Sequence, residues 1–146
     1  MNWKIIAIGK PSLNWARHGI VDYLNRLTRY GKTEIEYLKA GTPASCSERL
    51  LKASAGSRRI VMDERGPLRN TAAAREQFDL WEMDLTVKRV AFLIGGADGH
   101  TDALRREADE LWALSPLTLQ HELALVVLLE QLYRIQTIKH GEPYHR

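Results

Sequence analysis

The stretch VAFLIGGADG, residues 90–99, decides how this chain folds. Five apolar residues run without a polar break and stop at a double glycine, too short a run for a helix. Such a run reads as a strand buried on both faces, the signature of a parallel sheet covered by helices. In open α/β sheets ligands sit beyond the carboxyl ends of the strands. A glycine turn there frees backbone N–H groups and permits close approach, although it also serves as a plain turn. Its spacing is neither GxGxxG nor GxxxxGK[ST], so a dinucleotide fingerprint and a nucleoside-triphosphate loop have no support.

Working outward, strand and helix patterns alternate. Residues 3–8 read as a buried strand stopped by Gly9-Lys10-Pro11. Trp15, Ile20, Tyr23, Leu24 and Leu27 fall at helical spacing over 14–27, and TEIEYL (33–38) alternates as a strand does. Ser45-Cys46-Ser47-Glu48 fits a capping box opening a helix over Leu50 and Leu51 that ends near Gly56. A strand over 59–62 is followed by the turn-like Asp63-Glu64-Arg65-Gly66-Pro67. Asn70 or Thr71 caps a helix with Ala74, Phe78, Trp81 and Leu85 on one face. Thr101 caps a helix to about residue 110, a short strand covers 112–114, and the last helix spans 119 to about 139. The alternation predicts one α/β domain over 1–146, a mostly parallel sheet with helices on both faces.

The 146 residues suit one domain, with 45% hydrophobic and 27% charged residues, which excludes a disordered chain. A net charge of +3 permits a polyanionic partner without requiring one. Arginines come in close pairs (26 and 29, 58 and 59, 65 and 69, 105 and 106), each a solvated face or a phosphate site. Cys46 is the only cysteine, which excludes an internal disulfide and a Cys-based metal site, and no metal is expected. The amino-terminal apolar run is too short for a signal peptide. LALVVLLEQLYRIQTI is broken by Glu130, Gln131 and Arg134, so no membrane association is expected and a cytoplasmic location is.

Two further segments carry chemistry. LSPLTLQH (114–121) offers backbone groups to a base edge and leucines to pack on its ring; it also fits a plain loop with Thr118 as helix cap. EQLYRIQTIKHGEPYHR (130–146) gathers arginine for phosphate, tyrosine for stacking and histidine for proton handling near neutrality. Glu130 and Arg134 are spaced for a helical ion pair. Leu125, Leu128, Leu129, Leu132 and Ile135 make an apolar band, either core or a homodimer interface.

IGGADG, LSPLTLQH and EQLYRIQTIKHGEPYHR, with KIIAIGK and IVMDERG earlier, resemble the RlmH family. These are SPOUT-superfamily methyltransferases acting on N3 of a pseudouridine in 23S ribosomal RNA of the large subunit. The resemblance implies an α/β fold with a trefoil knot, S-adenosylmethionine as cofactor, a homodimer, and ribosomal RNA as substrate; the modest net charge favours a folded particle, the large subunit or the assembled ribosome, over naked RNA. It carries cofactor binding to Met62, Gly95, Leu114, Ser115, Pro116, Leu117, Thr118 and Leu119. His145, Arg134 and Tyr144 become the expected catalytic residues, and His121, Arg134, Tyr144 and Arg146 the expected RNA contacts. The tail is expected to act across the dimer. Gln120 departs from the pattern, standing where the family looks to have proline, and the stretch 41–57 looks shorter than usual. A non-catalytic RNA-binding or ribosome-assembly module on the same scaffold is the alternative reading.

Overall fold

The computed structural model describes residues 2–146. In chain order it contains β1 (Asn2–Ile8), α1 (Asn14–Leu27), β2 (Glu34–Leu38), α2 (Pro43–Ala53) and β3 (Arg58–Met62). These are followed by α3 (Thr71–Met83), β4 (Arg89–Ile94), α4 (Asp102–Arg106), β5 (Glu110–Trp112) and α5 (His121–Lys139). All five strands are parallel, in the order β2-β1-β4-β3-β5.

The unbroken apolar runs follow from this arrangement, because successive side chains point to opposite faces and both faces are covered. Trp3, Ile5 and Ala7 of β1, with Val90, Phe92 and Ile94 of β4, pack under α1, α3 and α5. Their alternates Ile6, Ile8, Ala91 and Leu93 pack under α2 and α4 with Cys46, Leu50 and Leu104. An aromatic cluster fills the larger core: Phe78 lies 5.6 Å from Trp3 and 6.0 Å from Phe92, and Trp81 stacks on Trp112 at 5.6 Å.

Several sequence expectations are corrected. The cap of α2 is Thr42, not the box at Ser45: its side chain accepts from the Ser45 N–H at 3.1 Å, and Pro43 takes the first helical position. Leu85 lies beyond α3 and is exposed. Helix α4 stops at Arg106, because the Asp109 N–H bonds the Arg59 carbonyl at 3.0 Å and draws the chain into the sheet. The edge strand therefore occupies 110–112 and not 112–114. Gln120, not Thr118, caps α5, its Oε1 accepting from the N–H groups of Glu122 and Leu123 at 2.8 and 2.9 Å. Trp15 of α1 is 52% exposed, and Ala16 takes the buried position beside it. The apolar band of α5 is core: its five residues are at most 3% exposed within one chain.

Candidate active site

The loops leaving β3, β4 and β5 converge around a cavity of about 280 Å³, close to the lower end of small-molecule sites. Met62 and Asp63 form one wall, residues 95–99 a second, the 114–119 loop a third, and His121 and Ala124 of α5 the base. Of the residues assigned to a cofactor, Met62, Gly95, Leu114, Ser115, Leu117, Thr118 and Leu119 line it. Pro116 belongs to the same loop, between the lining residues Ser115 and Leu117. Ser115 shapes that loop by accepting the Leu117 N–H at 2.9 Å.

The glycine turn closes through the Gly99 N–H, which donates to the Gly96 carbonyl at 3.1 Å. A β-carbon on Gly95 would meet His100 Cε1 at 3.1 Å and Nδ1 at 3.2 Å, so any side chain there must push the ring packed behind the turn by a few tenths of an ångström. His100 is buried and neither ring nitrogen has a partner with hydrogen-bond geometry. Burial pushes its pKa down, outweighing the attraction of Asp63, so the ring is neutral at neutral pH.

Three consecutive residues after β3 bind the other walls. Asp63 Oδ2 accepts from Arg105 Nε at 2.7 Å, and the same guanidinium donates to the His100 carbonyl at 2.7 Å. Glu64 accepts a hydrogen bond from the Thr118 hydroxyl, and Arg65 stands 3.6 Å from Asp102. Burial alone would raise the pKa of Asp63, but the Arg65 N–H and the Arg105 guanidinium hold it below the usual carboxylate range. No sequence motif marks Asp63 or His100 as a site residue, and Arg105 stands out only as one of an arginine pair. IVMDERG and the pair Arg105-Arg106 are visible in the sequence, but only the fold shows that they meet.

At the base, buried Glu122 reaches across to α1. It accepts the Ser12 and Leu13 N–H groups at 2.7 and 3.0 Å, serving a helix start that has no side-chain cap of its own. The backbone at Gln120 has φ −59°, the value a proline ring imposes, so the departure from the family pattern preserves the path into His121.

The tail folds onto the far end of α5. Glu130 Oε1 accepts from Arg134 Nη2 at 2.7 Å and from the Tyr144 hydroxyl at 3.1 Å. The Arg134 guanidinium lies 4.8 Å from the Tyr144 ring centre and donates to His145 Nδ1 at 3.0 Å. Burial, the Tyr23 hydroxyl and Glu130 all raise the Tyr144 pKa, so its hydroxyl stays protonated. Arg146 is exposed. The structure thus gathers Arg134, Tyr144 and His145, but not at the cavity. His121 and Arg134 are thirteen positions apart on α5, about 20 Å along the helix axis. None of the tail residues lines the cavity.

The leucines and Met62 suit a flat apolar ring, while Glu64 and Asp98 place acidic groups at the cavity as a cationic ligand requires. Among the described residues no group of His, Cys, Asp or Glu is placed to hold a metal ion. No described helix is long and apolar enough to cross a membrane.

The family described as "Predicted SPOUT methyltransferase" matches residues 1–145. A relative from Thermus thermophilus named ribosomal RNA large subunit methyltransferase H is 47% identical over 146 residues, covering all of this chain and 99% of its own. A Deinococcus radiodurans relative of the same name is 44% identical over 146 residues, with the same coverage. Among solved structures, a probable methylase family protein from Haemophilus influenzae superposes with a TM-score of 0.61 at 9% identity, over 99% of this chain and 70% of that one. The tRNA (m1G37) methyltransferase of Aquifex aeolicus superposes with a TM-score of 0.52 at 12% identity, over 92% and 70%. The two superpositions share the fold, and the full-length identities go further: the chain belongs to the SPOUT methyltransferases, in the RlmH family of ribosomal RNA large subunit methyltransferases.

Proposed function

We propose that this protein, as a homodimer, transfers a methyl group from S-adenosylmethionine to N3 of a pseudouridine in large-subunit ribosomal RNA on the assembled ribosome. The observation that carries this reading is the separation of the cavity from the tail cluster along α5. Each holds the groups for half of the reaction, and a second copy packed against the first would bring one cavity to the other's tail. The trefoil knot belongs to the same reading. It is supported by β5 lying at the sheet edge while α5, which follows it, packs back against α1.

S-adenosylmethionine, when bound, supplies a methyl group made electrophilic by its sulfonium centre. Leu114, Leu117, Leu119 and Met62, which line the cavity, would hold its adenine and thioether parts, and Glu64 and Asp98 would meet its positive charge. The tail supplies the acceptor side. N3–H is weakly acidic, and each unit of pKa above ambient pH adds about 1.4 kcal/mol to forming the anion. A guanidinium only donates, so His145 Nδ1 accepts from Arg134 and its proton sits on Nε2. His145 would therefore present Nε2–H toward a carbonyl oxygen flanking N3, orienting the base and stabilising the anion formed as the N3 proton is lost to solvent water; the anion then takes the methyl group and the donor leaves as the neutral thioether. Arg134 and Arg146 hold phosphate, and Tyr144 offers a ring for stacking. Positioning supplies much of the rate. Cys46 is buried on the opposite face of the sheet, so transfer is direct, without a covalent enzyme intermediate.

The test is methyl transfer from labelled S-adenosylmethionine to ribosomes lacking the modification, with the methylated position mapped by mass spectrometry. A ribosome-assembly module without catalysis would bind RNA and leave it unmethylated. Complementation tests the dimer: a tail-deleted subunit mixed with a Gly95→Val subunit is expected to regain activity. No rise above either homodimer alone would rule out action across the interface.

A further inference from the structure

We propose that Lys10, Arg17, Lys39 and Arg49 form the surface that grips the phosphate backbone of the RNA, an inference resting on the function above. The arginine pairs conspicuous in the sequence are mostly occupied within the protein. Arg26 pairs with Asp22 at 3.1 Å, Arg29 with Glu142 at 3.1 Å, Arg58 and Arg69 with Glu110 at 3.6 and 3.0 Å, and Arg105 with Asp63 at 2.7 Å. Lys10, Arg17, Lys39 and Arg49 have no acidic partner among the described residues, and the first three are exposed.

These four are scattered in the chain and joined by the sheet. The parallel strands β1 and β2 end side by side, with Ile8 opposite Leu38. The Gly9 N–H donates to the Leu38 carbonyl at 2.7 Å, which sets Lys10 beside Lys39. Arg49 Nη1 donates to the Lys39 carbonyl at 2.7 Å, and Arg17 Nε to the Pro11 carbonyl at 3.0 Å. Both guanidinium groups are thereby held at the same two loops with donors left over for phosphate. Nearby acids do not cancel the patch. Glu36 is taken by Lys4 at 2.6 Å, Glu122 is buried beneath Ser12, and Glu48 is the exposed acid on α2.

The patch adjoins the cavity. Ala7 of β1 is in register with Ile94 of β4, so the loop carrying Lys10 starts beside the glycine turn. Ser12 is bonded to Glu122, next to His121 at the cavity base. RNA lying across β1 and β2 would pass the mouth of the cavity, with phosphate contacts setting position and the cavity selecting the base.

The experiment compares the unaltered protein, Lys10→Ala/Lys39→Ala, and a control of equal charge, Lys32→Ala/Lys88→Ala, at the opposite end of the strands. Binding to purified ribosomes is measured at constant magnesium over monovalent salt from about 50 to 200 mM, with S-adenosylmethionine affinity measured alongside. The patch variant is expected to bind ribosomes about tenfold more weakly, with a salt slope shallower by about 1 to 2. Its cofactor affinity should be unchanged, its KM for ribosomes raised and its kcat retained. An affinity and slope equal to those of the unaltered protein, or a loss matched by the control, would overturn the assignment. Methyl transfer by the unaltered protein is scored separately, so the functional reading and the patch can fail independently.

Discussion

Arg134 Nη1 stands 3.0 Å from Nδ1 of His145, although the two are eleven positions apart in the chain. Because the guanidinium has no lone pair to offer, the contact selects one imidazole tautomer and leaves Nε2–H as the free edge. Replacing His145 by Ala is expected to lower kcat about a hundredfold or more, the scale of losing one positioned donor, with cofactor affinity unchanged. Arg134→Lys, which keeps the charge but not the fork, should give part of the same loss. Calorimetry and single-turnover methylation check both. Unaltered turnover in His145→Ala would remove the histidine from the mechanism.

Gly95→Val should weaken S-adenosylmethionine binding about tenfold or more, by displacing the turn rather than by filling the cavity. The added carbons run into the His100 ring and the Gly99 carbonyl carbon at 3.1 and 3.3 Å, and the buried ring has little room to retreat. Calorimetric titration measures this directly, and normal affinity would show that the turn tolerates a side chain.

Arg105→Ala strips the buried Asp63 carboxylate of its cation. Breaking such a pair from one side costs about 3 kcal/mol, most of it from the charge left behind. Denaturant unfolding should show that loss, together with weaker cofactor binding because the glycine turn and the β3 end lose their shared anchor. Asp63→Asn with Arg105 intact should cost less.

Acid should weaken the link between α5 and α1. Burial alone would raise the Glu122 pKa, but the Leu13 and Ser12 N–H groups overcome it and hold the value below the ordinary 4.5. A depressed carboxylate contributes stability fully above its unfolded value, and the contribution disappears as pH falls through the folded one. Glu122→Gln should therefore destabilise the protein by about 1–2 kcal/mol at pH 7 and progressively less below about pH 4.5. Thermal melts across that range check the sign: a gap that widened with acid would contradict it.

Much of the fold was legible in the order of residues. Apolar runs such as AFLI, glycine stops and caps at Asn70 and Thr101 report local preferences that the sheet does not override. Most of the 114–119 loop assigned through the family resemblance does line the cavity, since backbone turns at strand ends are encoded by neighbouring residues. Where local and distant terms compete, the distant one won. Residues 107–109 continue a helical pattern but are drawn into the sheet by Arg59, and Thr118 is a sound cap that Glu64 takes instead.

The chain by itself determined the strand–helix alternation, the glycine turn after β4 and the chemistry carried by the tail. Tertiary structure alone decided that Asp63 and Arg105 would meet, that most of the paired arginines would find acidic partners while four scattered cations gather, and that the tail would lie at the wrong end of α5 for its own cavity. Propensities act over a few residues, whereas charge pairing and access depend on which strand ends the parallel sheet sets side by side.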